Sequence, residues 1–206
     1  MACRENQPFS QHIDIIVGDF DSCRPEVESY YQSLGARIVK DSDQYSTDLM
    51  KSINILRNDS VTLVDGLHEP PDSSIDIAIF GSLSGRADQA FSQLHQLYLM
   101  ARDRSSMIAG KAYFITPESI IFLLQEGLNR IHTPVDDAAF TQNIGIIPLA
   151  KPAVITTRGL EWDVSAWPTE FGGQISTSNH IMESTVEVET TEPILFTLEY
   201  AQKSED

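Results

Sequence analysis

Cysteine is scarce in this 206-residue chain, which holds only Cys3 and Cys23. Two cysteines make neither a disulfide framework nor a zinc site, and the 5 histidines include no His-x-x-x-His pair to build one on a helix. Positive charge is scarce as well: 14 Lys and Arg stand against 30 Asp and Glu, a formal net charge of −16. That balance repels nucleic-acid phosphates and anionic lipid surfaces, so neither is expected as a partner. No apolar run approaches membrane-spanning length, and the opening MACRENQPFSQH is polar, without the apolar stretch of a secretory leader. A reduced, soluble, cytoplasmic protein is the expectation. Acidity by itself serves solubility equally well and names no ligand.

What is present falls into two periods. In the first part strand and helix signals alternate: IDIIV, then RPEVESYYQSLG, with Pro25 suited to a first helical turn and Gly35 to a C-terminal cap, then ARIVK. STDLMKSINILRN carries a helical face at Leu49, Ile53 and Leu56, with Ser46 or Thr47 as N-cap. DGLHEPPDSS reads as a loop, IDIAIF as a buried strand, and Ala87, Phe91, Leu94, Tyr98 and Ala101 mark a further helix. That order predicts a mainly parallel, Rossmann-like α/β sheet covered by helices. From about Lys111 the period shortens into AYFIT, SIIFLL, NIGIIPLA, AVITTRGL, GQISTSN, STVEVET and PILFTLEY, and no long helix is read after Asp103. This part is expected to be an antiparallel β-sandwich, with the boundary between Gly127 and Asn143.

Ligands of an open α/β sheet sit beyond the carboxyl ends of its strands. Asp19 and Asp21 follow the first strand, Asp48 opens the helix after ARIVK, and Asp88 opens the helix after IDIAIF. Gathered there, four carboxylates would suit Mg²⁺, which takes a few carboxylates plus substrate phosphates. Each has an ordinary reading too, since Asp favours first helical turns and caps free N–H groups. The Asp19/Asp21 pair resists that reading, because a turn needs one such residue rather than two. GSLSGRAD, from Gly81 to Asp88, joins two glycines, a helix start and the Arg86 fork in a way that suits phosphate, although it lacks the Walker and dinucleotide spacings. By spacing alone Lys51 is a solvated surface lysine, Trp162 a core or interface aromatic, and the hydroxyl-rich GGQISTSNH an edge strand.

Taken together, GDFDS, QYSTDLMK, GSLSGRADQ, TPESIIFLL, TTRGLEWDVS and GGQISTSNH resemble the thiamine pyrophosphokinase family, and its fungal members in particular, from about Ile13 to Leu198. The resemblance implies an α/β catalytic domain, here residues 1–130, and a thiamine-binding β-sandwich, residues 131–206, in a homodimer whose active site is shared between subunits. It implies pyrophosphoryl transfer from ATP to the hydroxyl of thiamine, with Mg²⁺. Carried over by motif, Asp19, Asp21 and Asp48 match metal-site acids, and Asp48, Asp88 and Arg86 match catalytic positions. Gln44, Thr47 and Lys51, with Arg86, match groups around the nucleotide and pyrophosphate, while Trp162, Ser176, Ser178 and Asn179 match the wall around thiamine.

Two departures stand out. Nothing before GDFDS matches the family's DGGAN-like loop and first strand, so an N-terminally shortened chain is expected. A catalytically inactive thiamine- or nucleotide-binding module is therefore the alternative reading, and the later motifs weigh against some other metal-dependent phosphoryl-transfer enzyme built on DFD. Ser82 and Ser84 stand where the family often has glycine.

Overall fold

The computed structural model describes residues 13–58, 76–81, 83, 85–102, 110–133, 135 and 137–201. The loop reading of DGLHEPPDSS and the positions Ser82 and Ser84 lie outside them. The chain divides into two compact units, Met1–Pro71 and Asp72–Asp206.

In the first unit the apolar run IIVG forms β1 (Ile15–Gly18), followed by α1 (Pro25–Ser33), β2 (Arg37–Lys40) and α2 (Asp48–Asn58). Pro25 starts α1, where its fixed φ fits and its missing N–H costs nothing. Gly35, at φ +94°, stops the helix: its N–H donates to Gln32 O at 3.1 Å and the Ala36 N–H reaches Tyr31 O at 3.0 Å. This paired closure needs a left-handed residue, and glycine supplies it without a Cβ penalty. The chain then enters β2, which pairs parallel with β1 from Ile15 opposite Arg37 to Gly18 opposite Lys40.

The second unit opens with β3 (Ile77–Phe80), α3 (Ala87–Arg102), β4 (Ala112–Ile115) and β5 (Ser119–Leu124). Next come β6 (Gly127–His132), β7 (Phe140–Ile147), β8 (Ala153–Arg158) and β9 (Trp167–Thr169). It ends with β10 (Ser176–His180), β11 (Thr185–Thr190) and β12 (Ile194–Tyr200). A six-stranded sheet has the order β10-β7-β12-β5-β4-β3, and a four-stranded sheet the order β6-β11-β8-β9. β3 and β4 run parallel across the α3 crossover, whereas β4 and β5 are antiparallel. The reversal is a four-residue turn in which the Thr116 hydroxyl accepts the Ser119 N–H at 2.9 Å while the Thr116 N–H donates to Ser119 O at 2.9 Å. Parallel pairs thus occupy the N-terminal part of the chain and antiparallel ones the rest, as the change of period predicts. The six-stranded sheet draws strands from both sides of residue 130.

Both sheets contribute to one core. Leu124, Ile144, Ile146, Ile194 and Phe196 from the larger sheet pack with Ala153, Ile155, Val186 and Val188 from the smaller. STVEVET shows why: Val186, Val188 and Thr190 are buried while Glu189 faces water, the alternation of a strand with one wet face. Phe122 links Tyr113 and Phe196 in a run of tilted rings, 5.4 and 5.3 Å between centroids.

The helix read from Ala87 to Ala101 is α3. Phe91 is exposed, and the buried residues are Gln96 and Leu97. Phe91, Leu94 and Tyr98 line an apolar cleft of about 630 Å³ with Leu123, Leu149 and Phe171.

Gly159 offers a test of the sandwich. At φ +89° it would bring a Cβ within 2.9 Å of the Thr185 carbonyl oxygen, a backbone atom that cannot swing away. Gly35 is equally left-handed but faces open space. Chemical denaturation is expected to show Gly159→Ala losing about 3 kcal/mol and Gly35→Ala only about 1 kcal/mol; equal losses would contradict the crowding at Gly159.

Candidate functional site

Parallel pairing of β1 with β2 brings two strand-to-helix loops to one end of the first unit. The Asp41 N–H donates to Gly18 O at 2.9 Å, so Asp19 and Asp41 leave the strands side by side. The first loop is a tight turn. Asp19 Oδ1 accepts the Asp21 N–H at 3.0 Å, the Cys23 N–H donates to Phe20 O at 3.1 Å, and Phe20 takes φ +65°. Asp19 is therefore the one aspartate the turn needs. Asp21 is exposed beside it.

The second loop is built from two aspartate-closed turns: the Asp43 N–H donates to Asp41 Oδ1 and the Tyr45 N–H to Asp43 Oδ1, both at 2.9 Å. Thr47, rather than Ser46, caps α2 by accepting the Met50 N–H at 3.2 Å. One turn on, Lys51 departs from the surface position read from its spacing. Its residue is 2% exposed, and its Nζ donates to Asp41 O at 3.0 Å and lies 3.7 Å from Asp48 Oδ1. An ammonium so buried is tolerated because that carbonyl and nearby carboxylates compensate it.

Asp48 leans over the end of β1. A Cβ on Gly18 would meet Asp48 Oδ1 at 3.4 Å, so the glycine leaves the space that this carboxylate borders. The Asp19 carboxyl is held below the ordinary carboxylate range, first by the Asp21 N–H and then by Lys51, the Gln44 side-chain amide and Lys40. Asp19, Gln44, Thr47, Asp48 and Lys51 thus share one end of the two strands, as their positions after β1 and β2 predict.

The chemistry of these donors fits a hard divalent cation. Mg²⁺ binds through one or two carboxylates and leaves its other positions to water and phosphate. Among the described residues no three His, Cys, Asp or Glu side chains form a ready-made cage.

The remaining predicted residues belong to the second unit. Arg86 and Asp88 flank the start of α3 and pair with each other: Nε to Oδ1 at 3.1 Å and Nη2 to Oδ2 at 2.6 Å. Both side chains are exposed, 75% and 60%, so the pair adds little stability. Its consequence is local. The Arg86 guanidinium holds the Asp88 carboxyl below the usual range, and Asp88 in turn raises Arg86.

Of the two places expected for Trp162, core or interface, the core is excluded, with 54% of its surface exposed. Asn179, by contrast, is 5% exposed and spends its amide internally. Its Oδ1 accepts the N–H groups of Trp162 and His180 at 3.2 and 2.8 Å, and its Nδ2 donates to Trp162 O at 3.0 Å. It holds the Trp162 backbone in place. Ser176 is half-buried and Ser178 exposed on the same strand. Two further groups escaped sequence reasoning: the His180 ring lies tilted against Trp162 with centroids 5.0 Å apart, and its Nδ1 meets Glu161 Oε2 at 2.5 Å. Their meeting depends on the bridge of Leu160 with Ile181, which no local spacing announces.

With this geometry in hand, the comparisons with known proteins are specific. Residues 4–109 match the profile described as thiamin pyrophosphokinase, catalytic domain, and residues 129–195 that of the thiamin pyrophosphokinase, vitamin B1 binding domain. Thiamine pyrophosphokinase 1 of Oryza sativa subsp. japonica is 33% identical over 190 residues, which cover 90% of this chain and 65% of the rice protein. The chain therefore spans slightly less than two thirds of that relative's length. Thiamine pyrophosphokinase of Saccharomyces cerevisiae is 27% identical over 219 residues, covering 89% and 68%. The solved structure of thiamin pyrophosphokinase from Candida albicans aligns with a TM-score of 0.80 at 32% identity, covering 93% of this chain and 75% of that one.

The depressed Asp19 and Asp88 carboxyls define a pH window. A depressed group stabilises the fold above its unfolded value, about 3.9 for aspartate, and that contribution is lost as pH falls through the lower folded value. Both should stay ionised throughout pH 5–8. Carboxyl NMR titration is expected to place both midpoints below the ordinary value, with Arg86→Ala returning Asp88 towards it; midpoints at or above that value would contradict the hydrogen-bond assignments.

Proposed function

We propose, for a chain that belongs to the thiamine pyrophosphokinase family, that it transfers the β,γ-pyrophosphoryl group of ATP to the hydroxyl of thiamine, releasing thiamine diphosphate and AMP. The observation that carries this reading is the meeting of Asp19, Asp48 and the buried Lys51 at one end of β1 and β2, with the exposed Asp21 beside them. An acidic rim around a fixed ammonium suits a phosphate chain that arrives with its own cation.

Asp19, Asp21 and Asp48 would hold Mg²⁺, which when bound neutralises charge on the phosphate oxygens and withdraws electron density from phosphorus. Thr47 and Gln44 meet polar groups of the nucleotide and pyrophosphate, and Lys51, buried against the Asp41 carbonyl, acts on them through its positive charge. Arg86 exchanges Asp88 for a phosphate oxygen, since guanidinium forks serve carboxylate and phosphate alike. Asp88, released by that exchange, orients the thiamine hydroxyl and accepts its proton. The hydroxyl oxygen bonds to the β-phosphorus as the bond from that phosphorus to the α–β bridging oxygen breaks, and AMP leaves with the electron pair. The exposed Trp162 face, with Ser176 and Ser178, forms the thiamine wall that Asn179 supports, and an indole face favours a thiazolium cation.

In this reading residues 1–130 form the ATP and Mg²⁺ domain and residues 131–206 the thiamine-binding domain. The protein is a cytoplasmic homodimer whose subunits share each active site. Among the described residues no helix is long and apolar enough to cross a membrane.

The test is product analysis after incubation with ATP, Mg²⁺ and thiamine. AMP and thiamine diphosphate in equal amounts are expected. ADP with thiamine monophosphate would show attack at the wrong phosphorus, and bound thiamine without either product pair would indicate a binding module. Asp21→Asn is expected to lower turnover about 100-fold or more while moving unfolding free energy by less than about 0.5 kcal/mol, because Asp21 is exposed. Near-normal turnover in that variant would remove Asp21 from the site.

A further inference from the structure

Asn179 fixes the Trp162 backbone, but its two hydrogen bonds there, to the Trp162 N–H and carbonyl, leave the ring free to turn about its own side-chain torsions. An indole 54% exposed has little packing to choose one pose. The contact that does choose lies on β10. His180 sits 5.0 Å from the Trp162 ring at an interplanar angle of 45°. The imidazole is itself held, because Nδ1 meets Glu161 Oε2 at 2.5 Å and the Glu161 N–H donates to His180 O at 2.9 Å.

A bulge creates this contact. β10 pairs with β7 through Ser176 opposite Ile146 and Asn179 opposite Ile144, so three steps on one strand match two on the other. Ser178 takes φ +55° within the irregularity. The extra residue places Asn179 on the face of Ser176 and His180 on the opposite one. Bulges re-aim side chains in this way. In unbroken alternation Ser176 and His180 would share a face and Asn179 would take the other, reversing which of the amide and the imidazole points inward.

We propose that His180, anchored by Glu161, is a positioning residue that holds the Trp162 indole in the orientation that receives thiamine. This rests on the assignment of Trp162 to the thiamine wall. His180 acts on the ring alone: it makes Trp162 a preset platform, so that binding does not have to freeze a swinging side chain. Tilted aromatic pairs are worth about 0.5–1.5 kcal/mol, which corresponds to a change in dissociation constant of about two- to tenfold.

The chain contains two tryptophans, Trp162 and Trp167, so labelling with 5-fluorotryptophan gives two ¹⁹F resonances, assigned with Trp162→Phe. His180→Ala is expected to shift the Trp162 resonance, leave that of Trp167 in place, and raise the thiamine dissociation constant about two- to tenfold with ATP affinity unchanged. His180→Phe, which keeps a ring at the contact, should recover most of the thiamine affinity. Glu161→Ala should act in the same direction as His180→Ala, more weakly. An unmoved Trp162 resonance and an unchanged thiamine constant in His180→Ala would overturn the proposal. Parallel changes at Trp167 and in ATP binding would overturn it too, by assigning His180 to general folding. Unchanged thiamine affinity in Trp162→Ala would instead refute the underlying assignment, and the resonance would still report whether His180 holds the ring.

Discussion

A buried positive charge organises the first unit. The Lys51 ammonium, cut off from water, needs oxygen atoms around it, and the fold supplies them from the ends of two parallel strands. The Asp41 carbonyl takes its hydrogen bond, Asp48 lies within 3.7 Å, and its field reaches Asp19. Removing the cation would leave those acids repelling one another; removing the acids would strand a charge whose desolvation costs several kcal/mol. The cluster therefore draws its order from charge compensation more than from apolar packing.

The second unit works on a different principle. Its sandwich core is apolar, and its chemistry is displayed at the rim by turns and irregularities. Asp163 illustrates this: its carboxylate accepts the Thr157 hydroxyl and the N–H groups of Gly159 and Leu160, at 2.9, 3.0 and 3.2 Å. That tightened turn presents Glu161 and Trp162, which the β10 bulge meets from the other side with Asn179 and His180. A rigid core lets an exposed indole be held by a few polar contacts.

Much of this was legible in the residues. Pro25 and Gly35 bound a helix because one fixes φ and the other permits a left-handed turn, and both rules are local. The valines of STVEVET point inward because strand alternation is local too. The six motifs, in their order, carry the family likeness by themselves. What stayed hidden depends on contacts distant in sequence. Lys51 is buried because Asp41 and the end of β1 close over it, although nothing in DLMKSIN distinguishes it from a surface lysine. Trp162 is exposed, against the habit of its residue type, because Asn179 pins its backbone at the rim. His180 gained its place only through a bulge.

The proposed chemistry depends on the acidic rim around Lys51 receiving a divalent ion together with ATP. Mn²⁺ can replace Mg²⁺ as a paramagnetic reporter, since nearby nuclei relax steeply with proximity to it. With ATP present, substoichiometric Mn²⁺ should broaden the backbone amide signals of Gly18 to Asp21 and Thr47 to Lys51 before those of the sandwich strands. Broadening that spares these loops, or centres on any other part of the chain, would contradict the claim.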